Sequence, residues 1–346
     1  MDLGTTYLGL RLRNPLVASA GPLSSTADGV RVLADAGVGA VVLPSLFEEQ
    51  IRRESERDLR LASAGTESFA EALSYLPAAA LDAWPYHHLR LLEKATSIVS
   101  IPVIASLNGV SAGGWTGYAT ALQDAGAAAI ELNVYYMSDD TPPASPSPFV
   151  AARDAEQRCA DLVAAVRSAV RIPVAVKIGP YFSSPGEMAV TLDRAGADGL
   201  VLFNRFMQAG IDPETFTVSV GFQLSSPGEA ALPRTWISRL RGRVRCSLAA
   251  STGVETPADV AAYLLAGADV VMTTSALLRH GAGYAAELLD GLEAWLGRKG
   301  FMSVAEARGL LSAQAGLPLE GRAGYLSAIG QATRAFDRPT QSAKRA

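Results

Sequence analysis

The sequence predicts an α/β protein built as a (β/α)8 TIM barrel, for three reasons. Eight short apolar runs recur along the 346 residues, and their β-branched residues suit parallel strands buried on both faces. Helical patterns separate the runs, as in repeated strand–helix units. No GxGxxG turn follows the first run, which disfavours the alternative of an open, doubly wound sheet that binds a dinucleotide. The runs are PLVASAG (15–21), VGAVVLPS (38–45), IPVIASLNG (101–109), AAIELNVYY (128–136), IPVAVKIGP (172–180), DGLVLFNRF (198–206), VRCSLAAS (244–251) and ADVVMTTSAL (268–277).

The helical segments between these runs carry start and stop signals. In TPADVAAYLLAGADVV we expect Thr256 to cap the helix, Pro257 to occupy its first position and Gly267 to end it. The segment TADGVRVLADAGVGA, from Thr26 to a stop at Gly37, repeats the pattern, as do TGYATALQDAGAAAI and GEMAVTLDRAGADGL.

Two segments are longer than a plain barrel needs. Residues 46–100 and 207–233 are βα connections, and in a barrel such insertions lie over the C-terminal face, where active sites form. We expect them to border or cover the site. Residues 1–312 are predicted to form one barrel domain, and residues 313–346 a helical C-terminal extension and tail.

Composition disfavours several classes of protein. Hydrophobic residues make up 49% of the chain and charged residues 18%, which is unlike a disordered protein. A net charge of −4 gives no indication of a nucleic-acid-binding surface. Cys159 and Cys246 lie far apart without Cys or His neighbours at metal spacing, so we expect neither a disulfide framework nor a metal site. No signal peptide or membrane span is evident, which predicts a cytoplasmic protein.

Polar residues at the predicted C-terminal strand ends are candidates for chemistry. Lys177 lies in an apolar strand, so it either faces a bound cofactor or substrate or extends to the surface at the strand end. Asn108, Asn133 and Asn204 also stand at strand ends. Amides donate and accept hydrogen bonds, which suits a flat heterocycle, although Asn108 precedes Gly109 and is equally typical of a turn.

The last two predicted strands end in small hydroxylated residues that lead into helices. Backbone N–H groups at such turns bind phosphate well, and barrels often have a phosphate site there, although these residues are also ordinary in loops. The sequence has no HExxH, GxSxG or P-loop motif, and we expect none of its three histidines to be a catalyst. The candidate phosphate-binding residues are Ser251, Thr252, Gly253, Thr273, Thr274 and Ser275.

Several segments resemble the class 1 dihydroorotate dehydrogenases, in the same order, over residues 5–312. The opening TTYLGLRLRNPLVASAGP resembles the part of that family in which a short N-terminal hairpin precedes Asn-Pro and the first strand. IELNVYY matches the Glu-Leu-Asn strand, and IPVAVKIGPYF matches the strand with the flavin-facing lysine. STGVETPADVAAYLLAGADVVMTTSAL matches the phosphate strand, helix and final strand, and LEAWLGRKGFMSVAEARGLL resembles the last helix.

This resemblance implies that the barrel holds one FMN. Ala18 and Ser19 would touch the isoalloxazine ring, and Lys177 would stabilise the negative charge of the reduced flavin. Asn133 would lie between flavin and substrate, and Asn204 would contact the substrate. The other FMN-binding residues that the resemblance implies are Ser45, Asn108, Thr252, Gly253, Thr274 and Ser275.

The substrate side departs from the family pattern. Where the family has a Ser or Cys base that removes a proton while hydride leaves for flavin N5, this sequence has Tyr136. With an ordinary pKa of about 10, a tyrosine is a poor base near neutrality, so Tyr136 either donates a proton in the reverse reaction or fills the site. Tyr135 and Ser138 are the alternative catalysts. Pro44 replaces an expected lysine, and EALSYLP (71–77) replaces the substrate loop.

The leading hypothesis is an FMN-dependent oxidoreductase acting on a CH–CH/C=C pair beside a carbonyl group, with dihydroorotate or a related compound as substrate. The missing substrate ligands favour a related compound over dihydroorotate itself. Dihydroorotate as substrate would connect the protein to pyrimidine biosynthesis. Since the sequence has no iron–sulfur cysteine set, electrons would leave through a separate acceptor or redox partner. The resemblance also suggests a homodimer. The alternatives are a non-catalytic FMN-binding barrel that serves another redox protein, and a barrel lyase or synthase with a phosphorylated substrate.

Overall fold

Eight parallel strands close into a barrel, which confirms the predicted fold class. The computed structural model describes residues 1–47, 84–108, 112–134, 150–205, 209–219, 221, 223–313 and 322–336. The strands in these ranges are β1 (Thr5–Tyr7), β2 (Leu10–Leu12), β3 (Leu16–Ala18), β4 (Ala40–Phe47), β5 (Val103–Asn108), β6 (Ala129–Val134), β7 (Val174–Ile178), β8 (Gly199–Leu202), β9 (Gly210–Asp212), β10 (Thr217–Ser219), β11 (Ser247–Ala250) and β12 (Val270–Thr273). The barrel order is β11–β12–β3–β4–β5–β6–β7–β8, so each of the eight predicted runs contributes one strand.

Helices follow the barrel strands in the chain and pack outside them. Their bounds are α1 (Ala27–Asp35), α2 (Trp84–Ile98), α3 (Ala112–Asp124), α4 (Ala152–Ala169), α5 (Pro185–Arg194), α6 (Ala231–Leu240), α7 (Pro257–Ala266), α8 (Ser275–His280), α9 (Tyr284–Lys299), α10 (Val304–Ala307) and α11 (Arg322–Phe336). The outward residues of the strands and the inward residues of the helices form the larger hydrophobic core. None of the helices in the described ranges is both long and apolar enough to cross a lipid bilayer.

The predicted helix signals are confirmed where the structure describes them. The Thr256 side chain accepts a hydrogen bond from the N–H of Asp259, whose side chain in turn bonds to the N–H of Thr256, and Pro257 opens α7. Gly267 ends α7 in the left-handed conformation, with φ of 117°. Thr26 caps α1 by accepting from the N–H of Gly29.

The N-terminal hairpin of β1 and β2 fills the N-terminal end of the barrel. Tyr7 and Leu8 are buried beside inward-facing residues that are mostly small, such as Ala129, Ala175 and Ala249. Small side chains leave the barrel interior underfilled, and the hairpin supplies the missing volume. The members of this inner cluster are Tyr7, Leu8, Leu12, Val17, Ala40, Val42, Ile104, Ala129, Ala175, Val201, Ala249, Val270 and Met272.

The hairpin turn is held against the barrel by its backbone. Leu8 and Gly9 both have positive φ, 54° and 75°, as a tight two-residue hairpin turn requires. The N–H of Leu8 donates to Ser247 Oγ at 3.1 Å, and Thr5 Oγ1 donates to the carbonyl of Asp269 at 2.9 Å. These bonds and the burial of the Leu8 side chain offset the strain of a left-handed leucine.

An ion-pair network around Asp269 joins the N-terminal hairpin to Arg308 at the same end of the barrel. Arg241 Nη1 lies 3.0 Å and Arg308 Nη1 2.9 Å from Asp269 Oδ1, and Arg308 also donates to Thr5 Oγ1 at 3.0 Å. The other oxygen of Asp269 accepts from the N–H of Leu248 at 2.8 Å. The carboxylate is therefore well satisfied where it is nearly buried.

The two predicted insertions have different outcomes. In the segment 46–100, β4 continues to Phe47 and α2 is the barrel's own helix, so the part of that prediction covering α2 is wrong; residues 48–83 lie outside the described ranges. In the segment 207–233, β9 and β10 form an exposed antiparallel pair, and α6 already begins at Ala231. His87 and His88, read from sequence as part of an insertion, lie on α2.

We predict that Gly199→Val lowers the free energy of unfolding by about 1–3 kcal/mol, because it overpacks the barrel interior. A Cβ at Gly199 would lie 2.4 Å from Leu8 Cδ2 and 3.5 Å from Tyr7 Cε2. Adding Leu8→Ala should make the double variant less unstable than the sum of the single losses, as urea unfolding would measure. Gly117→Ala is the control, since nothing lies within 4 Å of its added Cβ.

We predict that His88 makes the stability of the folded protein decrease in acid. Burial, with a smaller contribution from His87, lowers the pKa of His88 from 6.5 to about 4. The unfolded chain therefore binds this proton below about pH 6.5 and the folded chain only near pH 4, so stability should fall by up to about 3 kcal/mol between them. His88→Gln should remove that part of the loss, and His87→Gln should keep most of it. Identical pH dependence of urea unfolding in wild type and His88→Gln would contradict the assignment.

Candidate functional site

An open cavity of about 1100 Å³ lies at the C-terminal ends of the barrel strands. This is the face at which a barrel collects residues from several strands, and most of the predicted site residues meet here. Apolar, hydroxyl, amide and cationic groups share the lining. The strand-end residues in the lining are Ser19, Pro44, Ser45, Asn108, Asn133, Lys177, Phe203, Asn204, Ser251, Thr252, Thr273, Thr274 and Ser275.

The turn after β11 has an unusual backbone. Thr252 and Gly253 both have positive φ, 80° and 71°. Two side-chain hydrogen bonds hold Thr252 in this strained conformation: its Oγ1 donates to the carbonyl of Phe203 at 3.0 Å, and Tyr263 donates to the carbonyl of Thr252 at 2.6 Å. Successive residues of this kind direct backbone N–H groups into a concavity, a geometry that binds anions.

Gly253 is required at this turn by space as well as by conformation. A Cβ there would lie 2.6 Å from the backbone N of Ala230, closer than any real Cβ contact. On the neighbouring strand end, a Cβ at Gly21 would lie 2.5 Å from Thr274 Cγ2, and Thr274 Oγ1 donates to the carbonyl of Ser19 at 2.7 Å. Glycine at these two positions thus allows four chain segments, the turns after β3, β11 and β12 and the segment of Ala230, to converge at this end of the cavity.

Ser225 links the two candidate phosphate turns. Its Oγ accepts from the N–H of Gly253 at 3.2 Å and donates to Ser275 Oγ at 3.0 Å. Its own N–H also donates to Ser275 Oγ at 3.0 Å. Ser225 is buried and comes from the segment before α6, so that segment contributes to this end of the cavity along with the two turns.

A chain of side-chain hydrogen bonds crosses the cavity floor. Asn204 Nδ2 donates to Asn133 Oδ1 at 2.8 Å, and Asn133 Nδ2 lies 3.4 Å from Ser45 Oγ. Ser45 Oγ then bonds to Ser106 Oγ at 2.8 Å. Ser45 reaches this position beyond an irregularity in the β4–β5 ladder, which also accommodates Pro44 and its missing N–H.

Lys177 is paired with a carboxylate that the sequence reading did not assign. Its Nζ lies 3.8 Å from Glu131 Oε1, and the two side chains are only 10% and 1% exposed. Burial raises the pKa of Glu131, while the charge and the hydrogen bond of Lys177 act to lower it. Lys177 still lines the cavity, so the cation has an anion beneath it and open space above it.

Arg205 is a second cation at the cavity, and it holds the segment before α6. Its Nε lies 2.9 Å from Glu229 Oε1, and its Nη1 donates to the carbonyl of Gln223. The N–H of Ser226 donates to Glu229 Oε2 at 2.6 Å. Although burial raises the pKa of Glu229, the bonds from Ser226 and Arg205 lower it by more. Arg205 thereby fixes the segment that carries Ser225.

The sequence-predicted site residues fall into three groups. Most line the cavity. Gly253 and Ala18 do not, and the N–H of Gly253 donates to Ser225 Oγ. The Ala18 side chain packs in the outer core, because neighbouring residues in a strand alternate in direction. Tyr136 and Ser138, the candidate catalysts, lie outside the described residues. No group of three or more His, Cys, Asp or Glu side chains in the described ranges is arranged to hold a metal ion.

Three functional candidates were missed at the level of sequence: Glu131, Arg205 and Ser225. A carboxylate two residues before Asn133 in a buried strand was the available signal for Glu131, because strand alternation places both side chains on the same face. Arg205 directly follows Asn204 and could have been included on that ground. Ser225 lies in a segment without periodicity, so only the folded chain brings it to the turns.

Known proteins resemble the chain over most of its length. The family described as dihydroorotate dehydrogenase matches residues 2–296. A putative dihydroorotate dehydrogenase A (fumarate) of Aeropyrum pernix is 27% identical over 89% of this chain and 97% of its own length. A dihydroorotate dehydrogenase B (NAD(+)), catalytic subunit, of Methanothermobacter thermautotrophicus is 25% identical over 89% of this chain and 98% of its own. The protein with that name in Methanocella arvoryzae is 28% identical over 84% and 92%. These matches confirm the resemblance drawn from the motifs.

We predict that Arg205→Gln loosens the segment from Gln223 to Glu229. Loss of the ion pair and of the bond to the Gln223 carbonyl should speed amide hydrogen exchange there by about tenfold and raise the pKa of Glu229. Hydrogen exchange with mass spectrometry measures the first effect. Arg194→Gln is the matched control, because the ion pair of Arg194 among the described residues is an exposed one, with Glu187. Unchanged exchange in Arg205→Gln would show that the segment does not depend on Arg205.

Proposed function

The chain belongs to the dihydroorotate dehydrogenase family, and we propose that it is an FMN-dependent oxidoreductase acting on a CH–CH/C=C substrate. The observation that carries the proposal is the pairing, within the same cavity, of a strand-borne cation with a glycine turn suited to phosphate. Lys177 and the Thr252–Gly253 turn come from different strands, and both are at the C-terminal face of the barrel.

The cavity fits FMN in size and in the chemistry of its groups. Ligand cavities in proteins commonly measure about 300–1000 Å³, so a cavity of about 1100 Å³ leaves room for a second flat molecule beside the cofactor. We assign the phosphate to the turns of Thr252, Gly253, Thr274 and Ser275, which meet at one end of the cavity. Arg279, a cation bonded to this region, is already paired with Glu255 and donates to the carbonyl of Ser225.

On the ring side, the proposal gives each strand-end residue a separate role. Bound FMN would supply the hydride acceptor, N5, which no side chain of the protein can replace. Lys177 would place a positive charge at the ring edge on which negative charge develops, an electrostatic form of catalysis. Ser19, Ser45 and Asn108 would contact the ring from neighbouring strands, whereas Ala18 would reach it only through its backbone.

The asparagine pair is our proposed substrate contact. Because Asn204 donates to Asn133, which in turn donates toward Ser45, the amide orientations are fixed by the protein before a substrate arrives. Such preorganised amides would orient a substrate with alternating N–H and C=O groups, such as dihydroorotate or a related compound. The proton-transfer role of Tyr136, with Tyr135 and Ser138 as the alternatives, stays a prediction from the sequence.

Electrons would leave through a separate acceptor or redox partner. The names of the relatives give fumarate in one case and NAD(+) with a catalytic subunit in others, so the relatives differ in their acceptors. From the cysteine usage, the net charge and the lack of a long apolar run in the sequence, we propose a cytoplasmic protein with no nucleic-acid or membrane contact. The homodimer is proposed on the family resemblance alone. A role in pyrimidine biosynthesis would follow only if dihydroorotate itself is the substrate.

We predict that the purified protein binds one FMN per chain and that a dihydro compound of the CH–CH class, with dihydroorotate tested first, bleaches the oxidised-flavin absorbance band in an anaerobic titration. Gly253→Val should abolish FMN binding, because its side chain would displace Ala230 and distort the phosphate turn. Gly283→Val is the control, because Gly283 does not line the cavity and a Cβ there meets nothing within 4 Å.

Four results would lead to different conclusions. A band that bleaches in proportion to dihydroorotate supports both the cofactor and the substrate. A band that resists dihydroorotate but bleaches with another dihydro-heterocycle keeps the oxidoreductase and changes the substrate. A flavin that no reductant of this class bleaches would favour the non-catalytic FMN-binding barrel, and failure to bind FMN at all would overturn the proposal.

A further inference from the structure

Glu131 occupies a position at which a charged side chain is rare. Strand alternation in β6 directs Ala129, Glu131 and Asn133 into the barrel and Ile130 and Leu132 into the outer core. Glu131 therefore lies one interior layer below Asn133, between the cavity floor and the β1–β2 hairpin that fills the N-terminal end of the barrel. Carboxylates are almost never fully buried unless they are paired, so this one requires an explanation beyond packing.

The only cation within ion-pair distance of Glu131 among the described residues is Lys177. Oε1 lies 3.8 Å from Lys177 Nζ, and Oε2 has no hydrogen-bond partner in the described part of the chain. Tyr7 faces the same interior from the hairpin, and the charge of Glu131 helps to raise the pKa of its hydroxyl, after the larger effect of burial. A buried pair with one unsatisfied oxygen is a poor device for stability alone.

The Lys177 ammonium group has the Glu131 carboxylate on one side and the open cavity on the other. Lys177 is the strand-borne cation that lines the cavity, and Glu131 lies on the interior side of it. A carboxylate behind an ammonium group cancels part of its field in front, and in a buried site with little water this cancellation is large. A neutral residue at position 131 would leave the full positive charge to whatever binds above Lys177.

We propose that Glu131 is a positioning residue that fixes the Lys177 ammonium group and offsets its charge, and so limits the preference of the site for reduced over oxidised FMN. The proposal rests on the proposed function, since it concerns the same cofactor. The cavity floor then carries a nearly neutral pair when the flavin is oxidised. Removal of the carboxylate leaves a net cation, which favours the reduced, negatively charged ring.

The test measures the ratio of the FMN dissociation constants for the oxidised and reduced states, obtained from spectroelectrochemical titration of the FMN-loaded protein. Glu131→Gln should increase the affinity for the reduced state relative to the oxidised state by about tenfold, seen as a rise in reduction potential. Lys177→Met should shift the ratio in the opposite direction. Glu187→Gln, which removes one exposed carboxylate, is the matched control and should leave the ratio unchanged.

A double variant separates an action through Lys177 from a general effect of charge. Without the lysine, a buried Glu131 should bind a proton and become neutral, so Glu131→Gln should change nothing in the Lys177→Met background. The inference would be overturned if Glu131→Gln raised the reduction potential by the full amount in the Lys177→Met background, or if it left the potential of the otherwise wild-type protein unchanged. If the Gln variant does not fold, Glu131→Asp carries the same test, with a smaller rise expected as the carboxylate retreats from Lys177.

The two proposals fail in different ways. If the wild-type protein does not bind FMN, the proposed function fails and the ratio has no meaning. If the wild-type protein and Glu131→Gln bind FMN equally well and their potentials agree, the proposed function stands and the role of Glu131 is refuted. An increase in potential that is abolished by Lys177→Met supports both.

Discussion

Closure of eight parallel strands into a barrel is the constraint on which the rest of the structure depends. Closure forces alternate residues of every strand into a narrow interior without access to solvent, so one side chain in two along each strand must suit that interior. Alanines suit it at the N-terminal end only because the hairpin of Tyr7 and Leu8 fills the remaining volume. At the opposite end nothing from the hairpin arrives, and the same alternation directs Asn133 and Lys177 into a cavity. The filled N-terminal end of the barrel and the cavity at its C-terminal end thus both follow from the inward direction of alternate strand residues.

The chemistry of the cavity follows from which positions lie on the inner face. Asn133 and Lys177 are directly paired in the β6–β7 ladder, so an amide and a cation are adjacent without any loop to place them. Glu131 shares the inner face with Asn133 because the two are separated by one residue. The phosphate turns, by contrast, depend on backbone conformation. Ala230 leaves no room for a side chain at position 253. The hydrogen bond from Tyr263 to the carbonyl of Thr252 helps to hold Thr252 at its positive φ.

The fold was predictable from the sequence because its signals are local and repeated. Each strand is a short apolar run, and Thr256, Pro257 and Gly267 mark a helix without reference to anything distant. The sequence-based predictions were wrong or incomplete where contacts between residues distant in the chain determine the structure. The helix α2 was read as insertion because residues 48–83 separate it from its strand, and the contribution of Ser225 depends on two turns far away in the chain. Of the residues matched to the family, Lys177 and Asn133 line the cavity, whereas Ala18 packs in the outer core because the inward direction belongs to its neighbour Ser19.

The division between a strand-borne site and loop-borne residues bears on how this chain relates to its family. Strand ends are fixed by the barrel, and a change there disturbs the core; connecting loops can change without that penalty. The positions at which this sequence matches the family, such as Lys177 and Asn133, are on strands or directly after them. Two of the departures, Tyr136 and the segment 71–77, lie outside the described residues, in segments that the sequence predicts to be loops. A barrel that keeps its strand-borne cofactor groups while its loops diverge retains the means to bind one cofactor and gains the freedom to accept another substrate, which is why the cofactor and the substrate require separate measurements.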